Sequence, residues 1–229
     1  ISQVNGVILA DDSRKHQISS AKLKHFKVIY NSPQDLLDSL GGQPVSPQGH
    51  LRISYIGLLQ HERGLFDLID VVSNHAEWDL DLGGSGPEEE KIMEWIHAHP
   101  NIHWHGLIPY SKSLERNFVA DVMIAIFDPS IPNHRYSSSN KLFEAMMLQK
   151  PIIVARNTNM DRKVQMHNCG IVINYGNLVA LEGALQKLAN DPVLRLKLGK
   201  NSRLAYEKEY NWEKMQMRLL NYYTEILRD

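Results

Sequence analysis

Three serines, Ser137, Ser138 and Ser139, run into an Asn140-Lys141 pair, and Glu144 follows inside a stretch, LFEAMML, that is otherwise apolar. On a helical wheel Leu142, Phe143, Ala145, Met146 and Leu148 take most of the circumference, while Asn140, Lys141 and Glu144 share one side near the helix start. A helix apolar nearly all round is buried, so that polar notch must face something specific. A serine-lined helix start leaves backbone N–H groups free, which seats a phosphate. A carboxylate one turn deeper repels phosphate but accepts hydrogen bonds from a diol such as a ribose. Phosphate at the mouth and a diol behind it describe a nucleotide.

Two plainer roles compete for Glu144. A capping box fails, because Lys141 stands where Ser or Thr would cap. A Lys141–Glu144 ion pair at i,i+3 is the other, and it contributes little if exposed. The residues alone leave the ligand and the ion pair both standing.

Other groupings carry less chemistry. GGSGPEEE (83–90) lacks the third glycine of a dinucleotide loop, and its three glutamates would repel a pyrophosphate, so it is read as a tight turn. Asp79 and Asp81 share one face of a strand, as a solvated face or a metal-binding Asp-x-Asp would have them. His103 and His105 also share a face, but no third ligand is evident, so no metal is expected. Trp212 and the Tyr222-Tyr223 pair fall in closing helices and read as packing.

The elements that must position these groups alternate. Strands are expected at 4–10, 26–30, 52–57, 78–84, 101–106, 121–127, 151–155 and 169–173. Helices are expected at 12–24, 65–75, 87–98, 111–118, 139–149 and 178–189, with closing helices over 191–210 and 211–227. Such alternation predicts an α/β fold, a Rossmann-like doubly wound parallel sheet whose ligands bind beyond the strands' carboxyl ends. The expected division is a βαβ remnant of a preceding domain (1–32), a Gly- and Pro-rich linker (33–50), a nucleotide-sugar-binding domain (51–205) and C-terminal helices (206–229) that dock towards the preceding domain. The abrupt strand-like start suggests a missing upstream part.

Composition sets the bounds. The chain has 229 residues, 43% hydrophobic and 22% charged, enough for a sizeable core. A net charge of −1 gives no electrostatic footprint for nucleic acid or an anionic membrane. The single cysteine, Cys169, excludes an internal disulfide and points to a reducing, cytoplasmic setting. No apolar run is long enough to span a bilayer, and the start is no signal peptide.

From Arg52 onward the sequence resembles the C-terminal, donor-binding half of a GT-B glycosyltransferase, more narrowly the retaining glycosyltransferase group 1 family. YIGLLQHERG, LDLGGSGPEEE, NIHWHGLIPY, VADVMIAIFDPS, SSSNKLFEAMMLQKPIIV, CGIVI and YNWEKMQMRLLNYY carry the likeness by their order and spacing. Residues 1–32 resemble the last βαβ unit of the family's N-terminal domain, with Asn31 at the hinge. The resemblance implies a hexosyltransferase that moves a sugar from a nucleoside diphosphate to a glycan or lipid-linked acceptor with retention. It implies no metal or other cofactor. The acceptor, and any peripheral membrane contact, would belong to the missing half, and an isolated fragment would be inactive.

The resemblance also assigns residues. Glu144 matches the second of a glutamate pair and would hold the donor ribose, while Tyr136 stands where the first would touch the donor sugar. Ser138, Ser139, Asn140 and Lys141 would meet the diphosphate through the backbone. In GLLQHERG, Gly57 allows close approach to phosphate, Arg63 matches one of two basic positions ahead of Gly64, and Leu58 occupies the other, leaving Lys141 or Arg135 to compensate. Leu107 and Ile108 would pack on the donor base. Two other functions remain as alternatives: a non-catalytic nucleotide-binding or partner-docking module, favoured by Leu58 and Tyr136, and a nucleotide-sugar epimerase, which would need further acidic groups.

Overall fold

The computed structural model describes residues 6–18, 26–42 and 46–227. Six strands form one parallel sheet: β3 (Leu51–Leu58), β4 (Trp78–Ser85), β5 (Ile102–Trp104), β6 (Val122–Ala125), β7 (Ile152–Ala155) and β8 (Gly170–Ile173). Their order across the sheet is β5-β4-β3-β6-β7-β8. The chain runs outward from β3 to β5, then crosses back to lay β6 on the other side of β3. That reversal opens a crevice past the carboxyl ends of β3 and β6, where a doubly wound sheet binds ligands.

Alternation along β6 explains why both faces are covered. Val122, Ile124 and Ile126 enter one core, and Met123, Ala125 and Phe127 enter the other. The first core is closed by α1 (Leu65–Ser73), through Leu65, Leu68, Ile69 and Val72, and by α7 (Leu178–Asn190), through Leu181, Leu185 and Leu188. The second is closed by α3 (Tyr110–Val119), α5 (Asn140–Met147) and α6 (Met160–His167). Leu142, Phe143, Met146 and Met147 of α5 are buried; each such side chain contributes about 1.5–3 kcal/mol relative to exposure. The remaining helices are α2 (Glu89–Ile96), the single turn α4 (Pro132–Arg135), α8 (Pro192–Ala205) and α9 (Trp212–Ile226), with a π-helical turn at Tyr206–Tyr210 between the last two.

A separate pair of parallel strands, β1 (Val7–Leu9) and β2 (Phe26–Val28), makes a second, small sheet. The helix expected over 12–24 is a 3-10 turn at Asp12–Gln17, and the rest of that span lies outside the described residues. Asp11 fastens this unit to the large sheet. Its buried carboxylate accepts from Ser13, from Asn159 Nδ2 at 2.7 Å and from Lys163 Nζ at 2.7 Å. From the other side, Tyr222 of α9 accepts a hydrogen bond from the Val7 N–H at 2.9 Å.

The segment after β2 is not the loose connection its Gly and Pro content suggests. Arg203 grips Asp35 with two hydrogen bonds of 2.9 and 2.6 Å, and the Tyr206 hydroxyl donates to the Pro33 carbonyl at 2.9 Å. Leu37 and Leu40 pack on the second core. No helix among the described residues is long and apolar enough to cross a membrane.

Candidate functional site

A cleft of about 510 Å³ opens at the sheet's reversal point. Its floor is the end of β3 (Ile56, Gly57, Leu58) and of β4 (Gly84, Ser85). One wall is the start of α5, with Ser139, Asn140, Lys141 and Glu144; the other is Leu107, Ile108, Tyr110 and Ser113. The two strand ends touch tightly. A Cβ on Gly84 would lie 1.7 Å from the Gly57 carbonyl oxygen, and its φ of +129° suits only glycine. This is the tight turn expected of GGSGPEEE, and Gly84 and Ser85 reach the cleft while its glutamates open α2.

Lys141 and Glu144 meet at this cleft without closing on each other. No direct ion pair joins them among the described residues, so the plain i,i+3 role is not realised. The Lys141 ammonium lies 4.2 Å over the Tyr55 ring and directly above Gly57. Burial brings its pKa down to about 8; the nearby Glu144 carboxylate opposes that and the Arg63 cation adds to it. Glu144 is only 6% exposed, and burial pushes its carboxyl upward against the opposing pull of Lys141 and of a hydrogen bond from Tyr110. Its Oε2 receives a long contact of 3.5 Å from Asn117 Nδ2, which Ser54 holds through a 2.6 Å hydrogen bond to Oδ1. Tyr110 also hydrogen-bonds this carboxylate, and the two donors leave it acceptor capacity for a further one.

The N-terminus of α5 is free of its own cap. Ser139 sits at the N-cap in extended backbone and makes no side-chain capping bond. The first N–H groups and the dipole of α5 therefore face the cleft beside the Lys141 cation, an arrangement that attracts an anion.

The sequence-predicted residues divide into two sets. Gly57, Leu107, Ile108, Ser139, Asn140, Lys141 and Glu144 converge on the cleft. Arg63, at the end of a 3-10 turn, stacks its guanidinium 4.1 Å from the Phe127 ring, and its Nε has no hydrogen-bond partner. It bears on the cleft through its charge. Gly64 adopts φ +65° as the N-cap of α1 and would press a Cβ against Ile126 at 3.0 Å, so its role is to turn the chain. Tyr136 and Ser138 lie outside the cleft: Tyr136 lines a separate cavity, and Ser138 Oγ donates to the Ala10 carbonyl at 2.8 Å. Leu58, half-exposed, leaves the cleft floor without the cation of the family pattern. Arg135 is turned to the Pro129 carbonyl at 2.8 Å and does not line the cleft, whereas Lys141 does.

Ser113 and Asn117 escaped the sequence reading, and Tyr110 entered it only as the end of the GLIPY segment. They are polar residues on α3, a helix without a distinctive motif, and only the packing of α3 beside α5 gives them a role. The two acid–histidine motifs form paired rungs across β4 and β5. His103 Nε2 meets Asp79 Oδ1 at 2.8 Å, and His105 meets Asp81, which is largely buried rather than solvated. Among the described residues no three His, Cys, Asp or Glu side chains converge as a metal set.

Comparison with known proteins agrees with this architecture. The capsular polysaccharide biosynthesis glycosyltransferase CapM of Staphylococcus aureus is 26% identical over 176 residues, spanning 72% of this chain and 44% of CapM. Among solved structures, a glycosyltransferase from Rickettsia africae superposes with a TM-score of 0.80 at 14% identity, over 98% of this chain and 64% of its own. Anabaena HepE, solved in complex with UDP-glucose, superposes with a TM-score of 0.76 at 14% identity, over 97% and 64% of the two chains. The chain thus spans less than half the length of CapM and under two thirds of these two structures. Residues 42–205 match the family described as glycosyl transferases group 1, and the chain belongs to that family.

Proposed function

We propose that the cleft is the donor site of a sugar transferase and takes a nucleoside diphosphate sugar. The observation that carries this reading is the pair of unlike charges that line one cleft with no ion pair between them among the described residues: Lys141 beside the uncapped start of α5, and Glu144 buried one turn deeper. The diphosphate would lie against the α5 N–H groups and Lys141, with Arg63 adding longer-range positive potential. The ribose diol would donate to Glu144, adding to the contacts from Tyr110 and Asn117. Leu107 and Ile108 offer an apolar surface for the base.

Departure of the nucleoside diphosphate builds negative charge on its terminal phosphate. Helix dipoles and fixed cations already aimed at that position stabilise the charge as it develops. No metal is needed for this, and Glu144 positions the donor without moving a proton. Transfer with retention, a glycan or lipid-linked acceptor, and an acceptor side formed by a preceding domain complete the proposal. HepE, bound to UDP-glucose, and CapM, named for capsular polysaccharide biosynthesis, support it by likeness.

A thermal-shift panel of UDP, GDP and ADP tests the reading. One diphosphate is expected to raise the melting temperature, by about 2.7 kcal/mol of stabilisation at a hundred times its Kd. A second reading, a nucleotide-binding or docking module without transfer activity, is favoured by Leu58 and by the distance of Tyr136 from the cleft. It predicts diphosphate binding with no consumption of any nucleotide sugar.

A further inference from the structure

Tyr110, Ser113 and Asn117 stand at i, i+3 and i+7 of α3 and so form one stripe of that helix. The first two line the cleft; Asn117, 2% exposed, does not, and reaches it only through Glu144. The apolar residues beside the stripe, Leu114 and Phe118, enter the second core. We infer that Asn117, anchored by Ser54, is a positioning residue that aims the Glu144 carboxylate at the donor ribose. The role rests on the donor-site reading and adds to it a residue outside the cleft lining.

The direction of the Asn117 amide follows from its two neighbours. Ser54 Oγ donates to Asn117 Oδ1 at 2.6 Å, so the amide oxygen is turned to β3 and the nitrogen to α5. The reverse orientation would set Oδ1 against an ionised carboxylate, which accepts hydrogen bonds and gives none. Nδ2 faces Glu144 Oε2 instead, at 3.5 Å. Ser54 is 1% exposed, so neither side chain can turn to water for a partner. Burying a polar pair here is costly unless its hydrogen bonds are kept. β3, α3 and α5 are thereby linked, side chain to side chain, behind the carboxylate.

Glu144 needs such a hold. Its side chain turns about several bonds, and the Lys141 cation pulls on the carboxylate from the same helix. The two nevertheless make no ion pair among the described residues, and the donors that oppose the pull, Asn117 and Tyr110, both come from α3. A binding group serves only while its surroundings keep it within about 0.5 Å of the productive geometry. The Ser54–Asn117 pair is rigid and buried, as that task requires.

Calorimetric titration of UDP, GDP and ADP, of the dideoxyribose form of each, and of inorganic pyrophosphate tests the assignment. In the unaltered chain the diphosphate that binds is expected to do so at least about tenfold tighter than its dideoxy form. Asn117→Leu combined with Ser54→Ala, which leaves no orphaned hydroxyl, is expected to cut that ratio to about threefold or less and to keep pyrophosphate affinity within about twofold. Ser54→Ala alone keeps the amide but frees it to turn, and an intermediate ratio is expected. An unchanged ratio in the double variant would overturn the role, and so would an equal loss of pyrophosphate affinity, which would assign Asn117 to packing. An unaltered chain that binds pyrophosphate but treats ribose and dideoxyribose alike would instead sink the ribose reading of Glu144, and the positioning role with it.

Discussion

The Lys141 ammonium fills the space a side chain on residue 57 would need: a Cβ built on Gly57 lies 2.3 Å from Nζ. One residue's lack of a side chain thus holds another's charge over the end of β3. Leu58 brings no charge to the cleft floor, and the cation there, Lys141, comes from α5. Gly57→Ala would push Lys141 aside.

Because burial brings the Lys141 pKa down to about 8, its charge titrates near neutrality. A bound diphosphate favours the cationic form and raises that pKa. Diphosphate affinity is therefore level below pH 8 and falls as pH rises through it, by up to about tenfold per pH unit until the bound-state pKa is reached. Titrations from pH 6 to 9 should trace this decline. In Lys141→Met the affinity should be lower throughout, and the decline centred near pH 8 should vanish.

Glu144→Gln separates binding from folding. The free protein carries a buried carboxylate whose ionisation burial disfavours, so the amide should melt at the same temperature or higher. Hydrogen bonds from a ribose to a charged acceptor contribute about 1.5–3 kcal/mol, so diphosphate affinity should fall by about tenfold or more. A melting temperature that drops while affinity holds would assign Glu144 to the fold instead.

Leu58→Arg should restore a second cation to the cleft floor. Leu58 is 44% exposed, so the longer side chain can reach the solvent edge of the cleft without repacking the core. Diphosphate affinity should rise about fivefold at low salt and lose much of that gain at high salt. It should also lower the Lys141 pKa further, since like charges repel.

Lys150 is a buried lysine apart from the cleft, 3% exposed, with its ammonium 5.3 Å from the Phe118 ring. Burial brings its pKa down to about 8, with Asp121 partly opposing. A lysine depressed in the folded state binds fewer protons there than in the unfolded chain between about pH 8 and 10, so stability rises with pH across that window. Lys150→Met should raise stability at neutral pH by about 1–3 kcal/mol and flatten the rise, as denaturant titrations at pH 7 and 9.5 would record.

The strands and most helices were legible because their apolar residues recur at the sheet and helix periods, as in β6 and α1. Helix α6 was missed for a physical reason. Its apolar stripe is thin, chiefly Met160 and Val164, and it buries Asp161 and Lys163 as well. Lys163 is tolerable inside only because Asp11, far away in sequence, meets it. Helix α4, at four residues, is too short for a period to register. At the cleft, Lys141 and Glu144 could be found because two charges interrupt an apolar helix. Asn117 carries no such contrast, and the displacement of Tyr136 depends on how the loop before α5 turns, which spacing alone does not encode.

The grip of Arg203 on Asp35 and of Tyr206 on Pro33 has a mechanical consequence. The connection between the small sheet and the large one behaves as a strut rather than a tether, and swinging one against the other would mean pulling a doubly bonded guanidinium off its carboxylate. The Asp11–Lys163 bond sets the same restraint at the opposite end of the small unit. Residues 6–18 and 26–42 are thus held against the large sheet at both ends.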